Sequence, residues 1–337
     1  MALNDSQGTI GAASPSAGNF PANHKFYERK FLEALQPEEL YDKFGDMLSI
    51  PSNTSNTISL QKVSELSSLE GSPLTEGVTP TEQTLSVTRI EKSLDQYGGY
   101  IRTTDRLTEE SINGITAEFS KRLGQQGART MNRVRRDGLL GGTNVRFQGG
   151  VATQNDIITQ LSGANVIADT QYMVDAFRLA YVKPFSAHTP GSVNTGTNPT
   201  AEAYPVIVPV EAVSLIEAAT GFEKVQVYLS QVSLYPNEFG RLGNFRFMYD
   251  PEVNTVTNGV GDTIAQCLVF GKGLEDKAYA TVSLAGGNMK MITKALGSSG
   301  SADPLDQRAS MGWKAKQATF IKQDTYMFRW EVKIDAT

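Results

Sequence analysis

The chain has 337 residues, of which 39% are hydrophobic and 20% charged, enough apolar material for about two packed units plus extensions and too much for a disordered chain. Lys and Arg total 31 against 36 Asp and Glu, a formal net charge of -5; tight DNA binding draws on a basic excess or a basic face, so this balance disfavours a protein whose main task is to grip nucleic acid. The single cysteine, Cys267, excludes an intramolecular disulfide, and its neighbours Ala265, Leu268, Val269 and Phe270 predict a buried small hydrophobe in a chain folded under reducing conditions.

Met1 to His24 has neither the basic nor the apolar segment of a secretory signal, and no apolar run is long enough to span a bilayer, so a soluble protein is expected. Ala2 to Asn23, rich in Gly, Ala, Ser, Asn and Pro, predicts an arm that stays disordered or orders only against something else. A short helix is expected over Lys25 to Leu35, marked by Phe26, Phe31 and Leu35.

Alternation at Ile58 and Leu60, and again at Leu85 and Val87, predicts strands over Thr57 to Leu66 and Glu82 to Gln96. The turn-rich stretch Ser67 to Pro80 joins them into a long hairpin. Its strands are mostly Ser, Thr, Gln, Lys and Glu, and an isolated two-stranded hairpin is marginal in water, so something outside must hold it. That support is either the body of the same subunit or a neighbouring copy, and the neighbour is favoured.

The strongest helical pattern runs from Glu109 to about Leu139, with Thr108 as N-cap and Ile112, Ile115, Phe119, Leu123, Thr130 and Val134 at three- and four-residue steps. Such a helix is a spine. Glu109 and Glu110 open it, and Arg129, Arg133, Arg135 and Arg136 crowd its end. Those arginines read either as a nucleic-acid patch or as charges complementing the helix dipole on a solvated face, and the second reading explains both ends at once. Gly114, Gly124 and Gly127 each cost roughly 1 kcal/mol inside a helix, which points to close approach of a neighbouring backbone or to a bendable spine.

Beyond Gly141-Gly142, helices are expected over Gln154 to Leu161 and Asp169 to Val182, the latter with Tyr172, Val174, Phe177 and Leu179 as core. A loop over Ser186 to Thr200 marks a domain crossing. Tyr204 to Val210 predicts a buried strand, Glu211 to Ala219 a helix. Strands follow at Phe245 to Tyr249, Ile264 to Phe270, Ala278 to Val282, Lys290 to Lys294, Trp313 to Ile321 and Thr325 to Ile334. The mixture is α+β.

Material for catalysis is scarce. His24 and His188 are the only histidines, both in loop-like sequence, which leaves little for a histidine metal site or a serine triad. Gly271-Lys272-Gly273 lacks the preceding glycine and following hydroxyl of a phosphate loop, and Gly259-Val260-Gly261 lacks the third glycine of a dinucleotide fingerprint, so both read as turns. Asp250, Glu252 and Asn254 could be offered to calcium, but Pro251 intrudes and the loop glycine is missing. Asp303 and Asp306 have no positioned partner. No catalytic residue, cofactor or metal is expected.

Leu74-Thr75-Glu76-Gly77-Val78-Thr79-Pro80 resembles the hairpin tip of the major capsid proteins of the N-four-type podophage family. Further similar segments follow in order: Gln96-Tyr97-Gly98-Gly99-Tyr100-Ile101-Arg102-Thr103-Thr104-Asp105, Gly141-Gly142-Thr143-Asn144-Val145, Asn237-Glu238-Phe239-Gly240-Arg241-Leu242-Gly243 as a glycine-framed turn, and Asp303-Pro304-Leu305-Asp306-Gln307-Arg308 leading to Gly312-Trp313-Lys314. The resemblance covers about Leu40 to Ile334. Where relatives often carry His-Pro after the central buried strand, this chain reads Val208-Pro209-Val210.

The resemblance implies the Hong Kong 97-type capsid fold, in the order N-terminal arm and short helix (1–50), extended hairpin loop (51–96), peripheral domain with a spine helix (97–185), axial domain (186–287) and C-terminal strands returning to the periphery (288–337). It further implies a structural protein of the virion that associates with itself, as hexamers and pentamers of an icosahedral shell made in the bacterial cytoplasm, and meets a portal and decoration or scaffolding proteins. The shell would enclose double-stranded DNA without binding its sequence, and no membrane is involved. Leu74, Glu76, Gly77, Pro80, Tyr97, Asp105, Arg129, Arg133, Arg136 and Trp313 are the expected assembly contacts. Two alternatives remain: the shell of a bacterial nanocompartment with the same fold, and an enzyme built on paired carboxylates.

Overall fold

The computed structural model describes residues 40–51, 56–63, 76–79, 82–106, 115–185, 202–227, 235–273, 276–284, 289–298 and 304–335. The expected arm, its helix at 25–35, both histidines and the 186–200 loop lie outside these residues. Two larger sheets and one separate hairpin organise the described chain.

The first sheet contains β1 (Asp46–Ile50), β4 (Asp95–Thr104), β12 (Tyr279–Leu284), β13 (Lys290–Lys294) and β14 (Arg308–Ile321). β14 is its axis: β12 and β13 pair antiparallel along one side, β4 pairs antiparallel along the other, and β1 runs parallel to β12. Across this sheet lies α1 (Ile115–Leu139), which at a 1.5 Å rise per residue is roughly 37 Å long. Ser120, Leu123, Ala128, Met131, Asn132, Arg135 and Leu139 form its buried face. Leu123 and Met131 meet Met291, Met311, Trp313 and Ala315, with Tyr97 and Val134 at the margin.

The helix therefore ends where its periodicity predicts, while Thr108 to Ile112 lie outside the described residues. Its arginines need correction. Arg135 is not on a solvated face: it is fully buried, 3.4 Å from Asp42 and 3.4 Å from the Gln317 amide oxygen. The close backbone approach expected at Gly127 is not found there, where a Cβ would meet the side chain of Met289, and Gly114 lies outside the described residues; it occurs instead at Gly138, whose Cβ would lie 2.8 Å from the Thr319 carbonyl oxygen.

The second sheet runs in the order β5 (Val145–Phe147), β15 (Met327–Lys333), β11 (Thr263–Phe270), β6 (Tyr204–Val208), β9 (Phe245–Tyr249), β8 (Glu238–Leu242), β7 (Glu223–Lys224), with β10 (Thr255–Thr257) also on β11. All five residues of β6 are buried, as expected of a strand covered on both faces. On one face α2 (Gly163–Leu179) packs Val166, Met173, Val174 and Phe177 against Tyr204, Phe245, Phe328 and Trp330. On the other, Ile207, Met248, Leu268 and Phe270 meet Leu40, Tyr41, Phe44 and Tyr279. Cys267 is buried on β11, and loss of water raises its thiol well above the usual range.

Several expectations shift here. Gln154 to Leu161 forms only a 3₁₀ turn at Gln154–Asp156, and α2 begins at Gly163, because Ser162 accepts the Asn165 amide as N-cap. Tyr172 and Leu179 point outward, since the buried stripe of α2 passes through Asp169, Thr170 and Met173 instead. Asp169 occupies a core position by accepting from Arg146 Nε (2.9 Å), the Gly149 amide (2.9 Å) and Trp330 Nε1 (3.0 Å). The helix ends in a Schellman turn, the Val182 amide donating to Phe177 and Tyr181 taking the left-handed conformation. Glu211 to Ala219 becomes a 3₁₀ turn, Val210–Ala212, leading into α3 (Val213–Glu217). Within Asn237 to Gly243 the middle, Glu238–Leu242, is the strand β8, and the turns lie at its ends, where Asn237 and Gly243 take positive φ.

The last strands divide: β14 belongs to the first sheet and β15 to the second. The link between the two sheets also runs through residues 40–46. Asn132 Oδ1 accepts the Leu40 and Tyr41 amides, Tyr279 donates to the Tyr41 carbonyl, and Phe44 sits among Phe185, Tyr235 and Phe270.

Candidate assembly surface

β2 (Thr57–Val63) and β3 (Val87–Ser93) pair antiparallel in full register, from Thr57 with Ser93 to Val63 with Val87. The predicted hairpin is therefore present; its second strand is shorter than expected, and residues 64–66 of the first lie outside the described residues. Period-two alternation puts Ile58, Leu60 and Ile90 on one face, and they rest on Ile50, Leu94, Ala280, Val282, Ala318 and Phe320. The base of the hairpin is thus held by its own subunit, the alternative that the sequence reading left open but did not favour. The reason is that these three apolar residues share a face, which their polar intervals disguise in the sequence.

Further out that support stops. Val63 and Val87 face each other across the strands and are both more than half exposed, as is Leu85. At the tip, Glu76, Gly77, Val78 and Thr79 are exposed, Gly77 has φ +79°, and a Cβ built there would touch nothing. Leu74 and Pro80 lie outside the described residues. The period of two turns this pair away from Ile58, Leu60 and Ile90, onto the face of the hairpin whose described residues are all exposed.

The remaining expected contacts sit elsewhere. Gln96 to Thr104 lies in β4, which pairs with the other end of the chain, Thr104 opposite Arg308 and Gly99 opposite Trp313. Two segments that look unrelated in sequence are one piece of sheet. Tyr97 is half-buried against the spine, burial pushing its phenol up. Trp313 is buried in the same cluster, and its indole donates to Gln126 Oε1 at 3.3 Å. Gly98 and Gly99 permit this: a Cβ on Gly98 would lie 2.8 Å from the Trp313 carbonyl, and one on Gly99 3.2 Å from the indole nitrogen. Asp105 closes the end of the pairing, its amide donating to Gln307.

Of the arginines, Arg133 makes a two-point bond to Glu252 (3.0 and 2.8 Å), and Arg136 binds the Glu252 carbonyl and the Asp137 carboxylate. These side chains tie the spine to the loop after β9, while Arg129 is exposed. That loop uses the residues once considered for calcium: Asp250 accepts from Asn132 and from the Glu252 amide, and Asn254 donates to Gln266. Burial raises the Asp250 carboxyl above the ordinary range. Gly271 crosses closely behind Val182, its amide donating to Tyr326, so that the Gly271 to Gly273 stretch is a backbone crossing. Among the described residues, no group of three metal-binding side chains converges, and no helix is long and apolar enough to cross a membrane.

What the sequence missed was the outward-facing apolar set: the Val63–Val87 pair, whose register is the only signal, and Leu179 and Tyr181 at the end of α2, 82% and 89% exposed.

No family model matches the chain, and no curated protein matches it by sequence. Solved structures do. The capsid of Ralstonia phage GP4 is similar at a TM-score of 0.66 and 11% identity, over 89% of this chain and 92% of that one. The capsid of cyanophage P-SCSP1u is similar at 0.58 and 12%, over 87% of each chain. The head of Helicobacter pylori bacteriophage KHP40 is similar at 0.58 and 11%, over 88% of each. The chain has an α+β architecture with the Hong Kong 97-type fold of phage capsid subunits.

Proposed function

We propose that this chain is the major capsid protein of a tailed bacteriophage, a structural subunit that assembles with itself into an icosahedral shell around double-stranded DNA. The observation that carries the reading is the hairpin: on a fold found in phage capsids, its outer half presents Val63, Leu85, Val87 and an exposed tip to which the described subunit offers no partner. Covering them with a sister copy removes apolar surface from water. Heterologous contacts of this kind close by symmetry, and many weak ones together give a stable shell.

In this reading the spine with the first sheet forms the periphery, the second sheet with α2 surrounds the capsomer axes, so that β5, α2 and β15 pass from the expected periphery to the axial unit and β12 the other way, and the hairpin lies over the next subunit. Assembly takes place in the host cytoplasm and the protein ends in the virion. Portal and decoration or scaffolding proteins are its further partners, and it carries out no catalysis. The acidic balance suits an inner wall from which DNA must be released.

The test is electron microscopy of the chain expressed alone and of a variant lacking Leu69 to Pro80. Closed shells are expected from the first, and from the second a folded subunit that forms none. Normal shells from the deletion remove the hairpin from the mechanism, and a soluble monomer from the intact chain at every concentration removes the shell itself. A nanocompartment would enclose a protein cargo, which the same images and the nucleic-acid content of the particles distinguish.

A further inference from the structure

The loop joining β10 to β11 holds an Asn-Gly pair, Asn258-Gly259. In such a pair the glycine has no side chain to hinder attack by its own nitrogen on the preceding side-chain amide. Three features of this loop bear on that reaction. Asn258 Oδ1 accepts the amides of Val260 (3.0 Å) and Asp262 (2.8 Å), two donors placed where negative charge develops when a nucleophile adds to the side-chain carbonyl. The Nδ2 of Asn258 is buried, and among the described residues nothing accepts from it. The leaving nitrogen is thus unrestrained.

The third feature opposes the other two. The Gly259 amide donates to Asn155 Oδ1 at 2.8 Å. Asn155 stands in the middle of the 3₁₀ turn Gln154–Asp156, which a reciprocal cap between Thr153 and Asp156 fixes in place (Thr153 N and Oγ1 to Asp156 Oδ2, 3.0 and 2.8 Å). While this bond persists, the amide proton is not available to hydroxide and the nitrogen is held in its present plane.

We propose that Asn258-Gly259 is a self-modification site that Asn155 keeps closed. When the bond opens, hydroxide removes the Gly259 amide proton and the nitrogen attacks Cγ of Asn258. An N–Cγ bond forms, the Cγ–Nδ2 bond breaks, and Nδ2 leaves as ammonia after taking a proton from water. Water then opens the five-membered imide at either carbonyl, giving aspartate or isoaspartate. Neither an oxidant nor a cofactor enters. The product changes the β10–β11 connection locally: a new carboxylate arises in the loop whose Asp262 pairs with Lys333 at 3.0 Å, or a methylene enters the main chain within the turn closed by Gly261 on Asn258.

The experiment is peptide mass analysis of the full-length protein incubated in mildly alkaline buffer, comparing wild type with Asn155→Ala. The chain has a second Asn-Gly pair, Asn113-Gly114, which serves as an internal clock. Loss of one hydrogen bond of ordinary net strength corresponds to up to about tenfold. Conversion at Asn258 is therefore expected to rise about tenfold in the variant, while conversion at Asn113 is unchanged. An unchanged rate at Asn258 overturns the proposal. So does a parallel rise at both sites, which reports general loosening and not loss of a specific guard. The readout does not depend on whether shells form.

Discussion

Two glycines on the same face of the spine answer differently to the same substitution. In a helix, Gly→Ala ordinarily gains up to about 1 kcal/mol. On Gly127 the new methyl would lie 2.7 Å from the sulfur and 2.9 Å from Cε of Met289, the far end of an unbranched side chain with several rotatable bonds, so it swings aside at small cost. Gly127→Ala should therefore leave the subunit within about 0.5 kcal/mol of wild type or slightly stabilise it. On Gly138 the methyl would lie 2.8 Å from the Thr319 carbonyl oxygen and 3.1 Å from Thr319 Cβ. That carbonyl belongs to β14, whose Thr319 pairs with Thr281 of β12, so neither backbone can yield alone. Overpacking of this kind costs about 1–3 kcal/mol, and set against the propensity gain it leaves Gly138→Ala destabilised by up to about 2 kcal/mol. Urea denaturation of the unassembled subunit, followed by tryptophan fluorescence, measures both. If Gly138→Ala is as stable as Gly127→Ala, the claim that the spine is seated by backbone contact on β14 is wrong.

Replacing Val63 and Val87 together by Ser should change subunit stability by no more than about 0.5 kcal/mol, as for other surface positions, yet abolish shells in electron micrographs; intact shells would mean that this pair meets no sister copy. Arg135→Ala leaves the partly exposed Asp42 and the buried Gln317 without their partner and should destabilise by about 1–3 kcal/mol in the same denaturation assay; a loss under about 1 kcal/mol would place the pair among ordinary surface bridges. Asp250 supplies a pH test. Because burial raises its carboxyl in the folded state, the native protein holds the proton more tightly than the unfolded one, and this contribution to stability is present at low pH and lost as pH rises past the ordinary aspartate value of about 4. The denaturation midpoint of Asp250→Asn should gain on wild type across that interval, and a pH-independent difference would contradict it.

Much of the architecture was legible from residue order alone, for reasons that are local. β6 announced itself as an unbroken apolar run, β9 and β13 matched their expected bounds, and the end of α1 at Leu139 followed from helical period and the glycines beyond. Cys267 was placed correctly by its neighbours. The hairpin was visible because turn formers separate two alternating stretches. Its attachment was not: Ile58, Leu60 and Ile90 form one face only when the register of Thr57 with Ser93 is known, and that register also creates the exposed Val63–Val87 pair.

Charge was the least legible property. Arg135 and Asp169 carry the same formal charges as their exposed neighbours, and nothing local distinguishes them. What put them inside was the arrival of partners from far along the chain, Asp42 and Gln317 for one, Arg146 and Trp330 for the other. The pairing of β4 with β14 joins residues about two hundred positions apart, and with it Tyr97 and Trp313 passed from candidate contacts to parts of a core. Periodicity is written in each segment and can be read there; burial of a charge, and the choice of which apolar face stays open for a sister copy, exist only once distant segments have met.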